Sequence, residues 1–310
     1  MKTLSAVEAL TTINAQEMLE TIGLENVRRG RALLEKICRP AAKRFARQIA
    51  SYDEMVGARG LREASLWVLE KHIKRLEVAG RKNIPARGPL LIVSNHPGLS
   101  DAMALFASLP RNDLRTVAAE RAFLLALNHT SHYLIYLQSG EQNGSLRRIS
   151  RHLRSGGAAL LFPGGKIEPD PAIMAGASES LKRWSKSIGL IVRLVKEIQV
   201  VPAIVSGVVC RAAQQHPVTR IRKEEKNRAR VGAMLQTLIP AYKSVAVRVS
   251  FGEPLDRNAL LDGEGDTESI TEIVIEHARR LLEAQPCDWQ VILDNAGRPR
   301  VRFIPNQAVR

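Results

Sequence analysis

The segment Pro89–Asp101, PLLIVSNHPGLSD, joins a short apolar run to a turn that carries a histidine and an aspartate. Every residue of Leu90–Val93 is apolar, which is typical of a strand buried on both faces of a parallel sheet. The Pro97-Gly98 pair predicts a turn directly after that strand. Ser100 or Asp101 is a natural capping residue for the apolar helix predicted to follow. The segment therefore predicts a strand, a turn and a helix, with polar side chains where the strand ends.

The same alternation continues along the chain. Short apolar or β-branched runs predict strands at Leu90–Val93, Leu114–Ala118, Tyr133–Leu137, Ala158–Phe162, Val200–Val205 and Val245–Phe251. Helical segments between them cover Asp101–Leu109, Ala119–Ala126, Ser145–Arg154 and Ser178–Arg183. This order predicts the α/β class, with a mainly parallel central sheet flanked by helices. A ligand site is expected beyond the carboxyl ends of the strands.

Three regions are expected. Residues 1–80 contain no convincing strand and predict a helical, basic N-terminal region, in which Pro40 breaks a helix or starts a new one. The spacing of Leu66, Leu69, Ile73 and Leu76 predicts one helical apolar stripe. Residues 81–256 form the α/β domain. Residues 257–310 form a C-terminal helix, Thr267–Ala284, and an extension with a hairpin turned at Asn295–Gly297.

Charge and composition restrict the possible partners. Lys and Arg outnumber Asp and Glu by 46 to 31, which gives a net charge of +15 and favours anionic partners. Aromatic residues make up only 4% of the chain and no nucleic-acid motif is present, so we do not expect a nucleic-acid partner. The three cysteines are far apart and the histidines show no ligand spacing, so we predict neither a metal nor another cofactor.

Targeting features are weak. The N-terminal residues lack the long apolar core of a secretory signal, and no apolar run reaches the length of a spanning helix. We therefore expect a cytoplasmic protein that associates peripherally with anionic membrane surfaces. The basic N-terminal helices are explained first by a core face with a solvated basic face, and the alternative is that their basic surface docks on anionic lipid.

His96 and Asp101 form the candidate catalytic pair. A turn at Pro97-Gly98 would fold the carboxylate back to one ring nitrogen, fix the tautomer and leave the other nitrogen as a base. Such a pair is suited to removing a proton from a hydroxyl group. Taken alone, the spacing favours a simpler explanation, in which the aspartate caps a helix and the histidine merely occupies the turn, because His and Asp five residues apart often occur by chance.

The order of several short blocks resembles the glycerolipid acyltransferase family, which includes lysophosphatidic acid and glycerol-3-phosphate acyltransferases. Asn95–Asp101 matches the family block NHxxxxD. Phe162–Lys166, FPGGK, stands in the place of the family's Phe-Pro-Glu-Gly-Thr, and Val201–Ala203 matches a late valine-proline block. Val247–Asp256, VRVSFGEPLD, is a further family-like piece.

The departures concern the acceptor side of the motif set. Gly164 replaces the family glutamate and Lys166 replaces threonine, although Glu168 or Asp170 could supply the missing carboxylate. The Gly164–Lys166 turn, with Gly165 at its centre, could cradle an anion through its backbone N–H groups. The arginine of the second family block has no clear counterpart. Arg121, Arg147 and Arg148 are the candidates.

The resemblance implies direct transfer of a fatty acyl group from acyl-CoA or acyl carrier protein to a hydroxyl of a lysophospholipid or glycerol phosphate. In that mechanism His96 acts as general base, Asp101 orients it, and Asn95 holds the turn or the acyl carbonyl. Two alternatives stay open: a lipid-binding relative with weak or no catalysis, and an acyltransferase for an acceptor other than a phosphoglyceride.

Overall fold

The computed structural model describes residues 6–27, 29–137, 142–261, 265–284 and 286–295. The helices are α1 Ala6–Ile22, α2 Arg31–Arg59, α3 Leu61–His72, α4 Asp101–Ser108, α5 Ala122–Leu125, α6 Gln142–Arg154, α7 Ala177–Leu181, α8 Ser187–Leu194, α9 Arg211–Gln214, α10 Glu225–Leu238, α11 Arg257–Leu260 and α12 Thr267–Glu283. The strands are β1 Arg75–Ala79, β2 Leu90–Ser94, β3 Leu114–Ala119, β4 Leu134–Leu137, β5 Ala158–Leu161, β6 Gln199–Ser206, β7 Ala246–Phe251, β8 Leu255–Asp256 and β9 Gln290–Asp294.

The described strands form one sheet in the order β4-β3-β5-β2-β6-β7-β1-β9, with β8 paired to β6. The five strands from β4 to β6 run parallel, whereas β7 and β1 run antiparallel to β6 and parallel to each other. The α/β class with a mainly parallel sheet and an N-terminal helical region is therefore confirmed. Because β2, β5 and β6 are neighbours, the loops that follow them meet at one edge of the sheet.

The apolar run in β2 is explained by burial on both faces. Leu90 and Ile92 pack into a core beneath α2, α3 and α4, whereas Leu91 and Val93 pack into a second core beneath α6, α8 and α12. All four side chains are fully buried. A strand in this position has no solvent face, so its sequence shows no polar alternation.

The expectation that residues 1–80 hold no strand is wrong. Arg75–Ala79 forms β1, which pairs in parallel with β7 and antiparallel with β9. Leu76 therefore belongs to a strand rather than to a helical stripe, and α3 ends at His72. Glu77, in the middle of β1, is only 9% exposed, and Arg248 of β7 donates to its carboxylate at 2.8 Å. That ion pair compensates the negative charge of Glu77, which would otherwise be unfavourable in a buried position of a strand.

The expectation that Pro40 breaks a helix or starts a new one is wrong. Pro40 lies inside α2, which runs without a break from Arg31 to Arg59. The proline ring is exposed, so water can bond to the backbone carbonyl that loses its helical partner. The helices α1, α2 and α3 pack on one another in chain order, and α3 packs on α4.

Two further sequence expectations concern the membrane and the C-terminus. Within the described ranges, no helix combines the length and the apolar character needed to cross a bilayer. The hairpin expected at Asn295–Gly297 extends beyond residue 295 and so lies outside the described residues.

Gly189 permits the close packing of α8 on α12. A Cβ atom at this position would overlap the carbonyl oxygen of Thr267, at the start of α12. We expect Gly189→Ala to lower the free energy of unfolding by about 1–3 kcal/mol, because overpacking outweighs alanine's better helix propensity. Urea denaturation measures this. Leu190→Ala, at a 42% exposed neighbour on the same helix, is the control, and an equal loss in both variants would refute the explanation.

Candidate active site

The turn after β2 positions the candidate catalytic pair. Gly98 has φ 86°, a conformation that favours glycine, and a Cβ atom there would lie 2.9 Å from the Ile167 side chain. The Asp101 N–H donates to the Gly98 carbonyl at 3.2 Å, which closes the turn, and α4 begins at Asp101. Proline, glycine and a helix start within five residues therefore return the aspartate to the histidine.

His96 and Asp101 are hydrogen-bonded. The imidazole Nδ1 lies 2.7 Å from Asp101 Oδ2, and the same oxygen accepts the Gly98 N–H at 2.7 Å. The second carboxylate oxygen accepts the Ala102 N–H at 2.6 Å. Since the carboxylate is an acceptor, Nδ1 carries the proton and Nε2 keeps its lone pair. The Asp101 side chain is 2% exposed and the imidazole 30% exposed, so a substrate can reach the ring.

The surroundings adjust the basicity of His96. Burial acts to lower the imidazole pKa, but the hydrogen bond and charge of Asp101, together with the Glu168 carboxylate, raise the pKa above its ordinary value. The ring of Phe162, which follows β5, stacks on the imidazole at a centroid distance of 4.4 Å. The site thus holds an oriented base with one nitrogen available for proton transfer.

Asn95 ties the end of β2 to β6. Its Nδ2 donates to the Val205 carbonyl at 2.9 Å, and its Oδ1 accepts the Val205 N–H at 2.7 Å. The side chain is 2% exposed. Of the two roles expected for Asn95, this geometry favours holding the turn over contacting a substrate.

Glu168 connects the histidine to the loop after β5. Its Oε2 accepts the His96 N–H at 2.9 Å, and its own N–H donates to the His96 carbonyl at 2.8 Å. Its Oε1 accepts from Trp184 Nε1 at 3.1 Å and from Ser180 Oγ at 3.2 Å. Burial raises the Glu168 pKa, and these hydrogen bonds oppose that effect. Both the backbone and the side chain of Glu168 therefore fix the position of His96.

Gly164 leaves room for the Glu168 carboxylate. A Cβ atom at Gly164 would lie 2.9 Å from the carboxyl carbon of Glu168. The family motif has a glutamate at the position of Gly164, so here a carboxylate from four residues later occupies the adjoining space. This geometry favours the expectation that Glu168 replaces the missing glutamate.

The expected anion cradle is only partly available. Gly165 has φ 62°, and its N–H donates to the Phe162 carbonyl at 3.1 Å, so this group is already bonded. Lys166 is exposed at the same edge of the sheet as His96. Its charge, rather than the central N–H of the turn, is what this loop can offer to an anion.

Asp170 fixes the neighbouring loop. It is fully buried, and its carboxylate accepts the N–H groups of Gly207 at 2.8 Å and Val209 at 2.9 Å. These two residues follow β6, so Asp170 joins the loops after β5 and β6. The two acidic residues of KIEPDP thus hold the site together rather than facing solvent.

The candidate arginines do not converge on His96. Arg121 is exposed at the start of α5, beyond β3, and its charge acts on Glu17 of α1. Arg147 lies on the exposed side of α6, beside Leu194 of α8. Arg148 donates to the Tyr136 carbonyl at 2.8 Å. Arg121 and Lys166 follow the carboxyl ends of β3 and β5, whereas Arg148 reaches Tyr136 of β4 from α6 and Arg147 lies on the α6 surface.

Leu99 is unusual within the turn. It has φ 55°, a conformation that costs a non-glycine residue roughly 1–2 kcal/mol, and its side chain is 39% exposed. Core burial cannot explain the choice of leucine at this position, because the side chain faces outwards. The Pro97-Gly98 pair before Leu99 indicated a turn. The positive φ of Leu99 could not be predicted from the sequence, because it depends on the contacts that close this turn.

Two contributors to the site were not identified as such from the sequence: Phe162, which stacks on His96, and Trp184, which bonds to Glu168. Phe162 was part of a recognised block and could have been assigned from its place after β5. Trp184 carries no local signal. Among the described residues, no group of three or more His, Cys, Asp or Glu side chains could hold a metal ion.

Neutralising Glu168 should change the titration of His96. We expect Glu168→Gln to lower the imidazole pKa, because a nearby negative charge that stabilises the protonated ring is removed. NMR titration of the His96 ring protons measures this directly. Glu179→Gln, at an exposed glutamate of α7, is the control and should leave the pKa unchanged. An unchanged or higher pKa in Glu168→Gln would argue against the electrostatic role of Glu168.

The part of the chain that holds this site is similar to known proteins. The family model described as Acyltransferase matches residues 75–206, which run from β1 to the end of β6. No curated protein matched the chain. Among solved structures, the chain is similar to the crystal structure of the 1-acyl-sn-glycerophosphate (LPA) acyltransferase PlsC from Thermotoga maritima. That match has 17% identity and a TM-score of 0.42, and covers 89% of this chain and 95% of that chain.

The matched segment contains β2, β5 and β6, the His96–Asp101 pair, Glu168 and Asp170. The resemblance to the glycerolipid acyltransferases is thereby confirmed, and residues 75–206 of this chain belong to the acyltransferase family.

Proposed function

We propose that this protein is an O-acyltransferase of phospholipid biosynthesis. It moves a fatty acyl group from acyl-CoA or acyl carrier protein to a hydroxyl of a lysophospholipid or glycerol phosphate. The family match over residues 75–206 supports acyltransferase activity. The observation that carries the proposal is the bond of 2.7 Å between His96 Nδ1 and Asp101, with the ring partly open to solvent.

The chemistry follows from the tautomer that Asp101 imposes. Nε2 of His96 removes the proton of the acceptor hydroxyl as that oxygen attacks the thioester carbonyl carbon. The carbon–sulfur bond then breaks, and the imidazolium gives the proton that came from the hydroxyl to the leaving thiolate. Asp101 stabilises the positive ring between these steps. Nothing in this sequence of steps requires a metal or a covalent intermediate on the enzyme.

A lipid-binding relative without catalysis is the competing function. It was suggested by Gly164, which stands where the family has a glutamate. The carboxylate of Glu168 lies against Gly164 and bonds to the His96 N–H, so the site does not lack a carboxylate. A purely binding protein also has no evident need for a buried aspartate that orients an accessible histidine. Both observations favour the enzyme.

An anionic membrane surface is the proposed location of the lipid acceptor. The helix α2 carries Lys36, Lys43, Arg44 and Arg47. Leu33 and Ile37, one helical turn apart on α2, are 63% and 65% exposed. Exposed apolar side chains beside basic ones are typical of helices that dock at the interface of an anionic bilayer.

Removal of the base should abolish transfer. We expect His96→Ala to lower kcat/KM by about 10²- to 10⁴-fold, the usual contribution of general-base catalysis. Labelled acyl-CoA and acyl carrier protein, each tested with phosphorylated and non-phosphorylated acceptors, measure transfer and identify both substrates. Ser100→Ala, in the same turn but without a capping bond from its side chain, is the control. Equal transfer by His96→Ala and wild type would leave the lipid-binding function as the explanation.

Membrane binding should depend on salt and on α2. We expect sedimentation with anionic phospholipid vesicles to decrease as the salt concentration rises, because the attraction is partly electrostatic. Combining Leu33→Ser with Ile37→Ser should weaken this binding further. The matched control combines Leu190→Ser with Leu194→Ser, an exposed pair at the same spacing on α8. Binding that does not change with salt concentration would contradict the electrostatic attraction. Binding that is lost in the α8 pair and retained in the α2 pair would exclude docking through α2.

A further inference from the structure

A groove lies beside the candidate catalytic turn. Helices α1, α2 and α10 form its walls, and Leu99 of the turn completes it. Its volume is about 280 Å³. Because the three helices lie outside residues 75–206, most of the groove is built by parts of the chain that the family match does not cover.

The lining of the groove is mainly apolar. Its larger apolar side chains are Met18, Phe45, Leu99, Met234 and Leu238. Leu99 is exposed in a backbone conformation that disfavours leucine, and its side chain lines this groove, where it would contact an apolar ligand. Flexible methionines and leucines of this kind suit a linear hydrocarbon chain. Arg230 lies at the exposed edge of the lining, where a polar group would stay close to water.

Asn14 adds a polar requirement inside the groove. Its side chain is 4% exposed, and its Nδ2 has no hydrogen-bond partner. Buried donors are normally bonded, so a ligand oxygen in the groove would satisfy this amide. His96 bonds to Asp101 and Glu168 and stacks on Phe162, so Asn14 is not one of the partners of the reacting centre.

These features together distinguish between the two lipid substrates. The acyl chain of a thioester donor carries one oxygen, the thioester carbonyl, and that oxygen must lie at the reacting centre beside His96. The amide oxygens of the donor's pantetheine arm lie beyond the sulfur, away from the chain. A chain with another oxygen is found in an acceptor that already carries an acyl group. Resting on the function proposed above, we infer that the groove binds the acyl chain of a monoacylated acceptor, whose ester or amide carbonyl accepts from Asn14. A lysolipid is then the acceptor class, rather than free glycerol phosphate.

The carbonyl contact can be tested by binding without turnover. The probes are 1-hexadecanoyl-glycerol 3-phosphate and its 1-hexadecyl ether, which lacks the carbonyl, each below its micelle concentration and without a donor. We expect wild type to bind the ester about fivefold more tightly, the effect of one neutral hydrogen bond. Asn14→Leu, which has a similar size and no donor, should lose this preference. An equal preference in wild type and Asn14→Leu would overturn the inference.

The contact with the acyl chain is tested by filling the groove with a larger side chain or by removing the Leu99 side chain. We expect Ala233→Leu and Leu99→Gly to weaken binding of the hexadecanoyl acceptor about tenfold and to leave a hexanoyl acceptor nearly unchanged. Glu197→Gly is the matched control for Leu99→Gly, because Glu197 is the other non-glycine residue with positive φ in the described part of the chain, at 57°, and is exposed away from the groove lining. Thermal unfolding confirms that each variant is folded.

A parallel series with S-hexadecyl-CoA separates the two substrates. Weakened binding of this donor analogue, with acceptor binding unchanged, would overturn the inference and assign the groove to the donor. Failure of wild type to bind the hexadecanoyl acceptor would also overturn it. Neither result would change the separate test of the proposed function, which is His96-dependent acyl transfer from a labelled donor to any acceptor of the panel. Failure of the inference is thus distinguishable from failure of the proposed function.

Discussion

The carboxylate of Asp101 carries two constraints at once. One of its oxygens accepts from both His96 Nδ1 and the Gly98 N–H, each at 2.7 Å, so the ring and the turn cannot move independently. The carboxylate also lies in the first turn of α4, where the helix dipole stabilises negative charge. Strand, turn and helix therefore meet at one carboxylate. The five-residue spacing between the pair is the number of residues this turn needs.

The second constraint is the buried attachment of the loops around His96. Glu168 holds the histidine backbone from the loop after β5, and Asp170 joins that loop to the residues after β6. Asn95 makes a third link through Val205. Position 164 requires a residue without a side chain, because the Glu168 carboxylate fills the space beside it. A carboxylate supplied from four residues later stays near the imidazole and contributes to its raised pKa.

The sequence predicted those parts of the fold whose cause is local. Strand β2 was identifiable because burial on both faces leaves four apolar residues in succession, and the turn was identifiable from Pro97-Gly98. Strand β1 was missed because Glu77 interrupts its apolar pattern, and the compensating Arg248 is 171 positions away. The role of Asn95 was left open for the same reason, since its partner Val205 is 110 positions away. Contacts of this kind arise only once the sheet has formed.

The segment that matches the family contains the candidate catalytic pair but not the whole sheet. Strand β1, at the start of the segment, pairs with β7 and β9, which both lie beyond residue 206. The helix α12 covers one face of β6 from the same later part of the chain. Helix α2 packs on α1 and α3, and α1 also contacts α10. The additional parts therefore extend the fold, and some of them line a groove beside the candidate catalytic turn. Leu99 connects the family segment to the groove formed by α1, α2 and α10, so a change in those helices would reshape the groove while His96 and Asp101 stay in place.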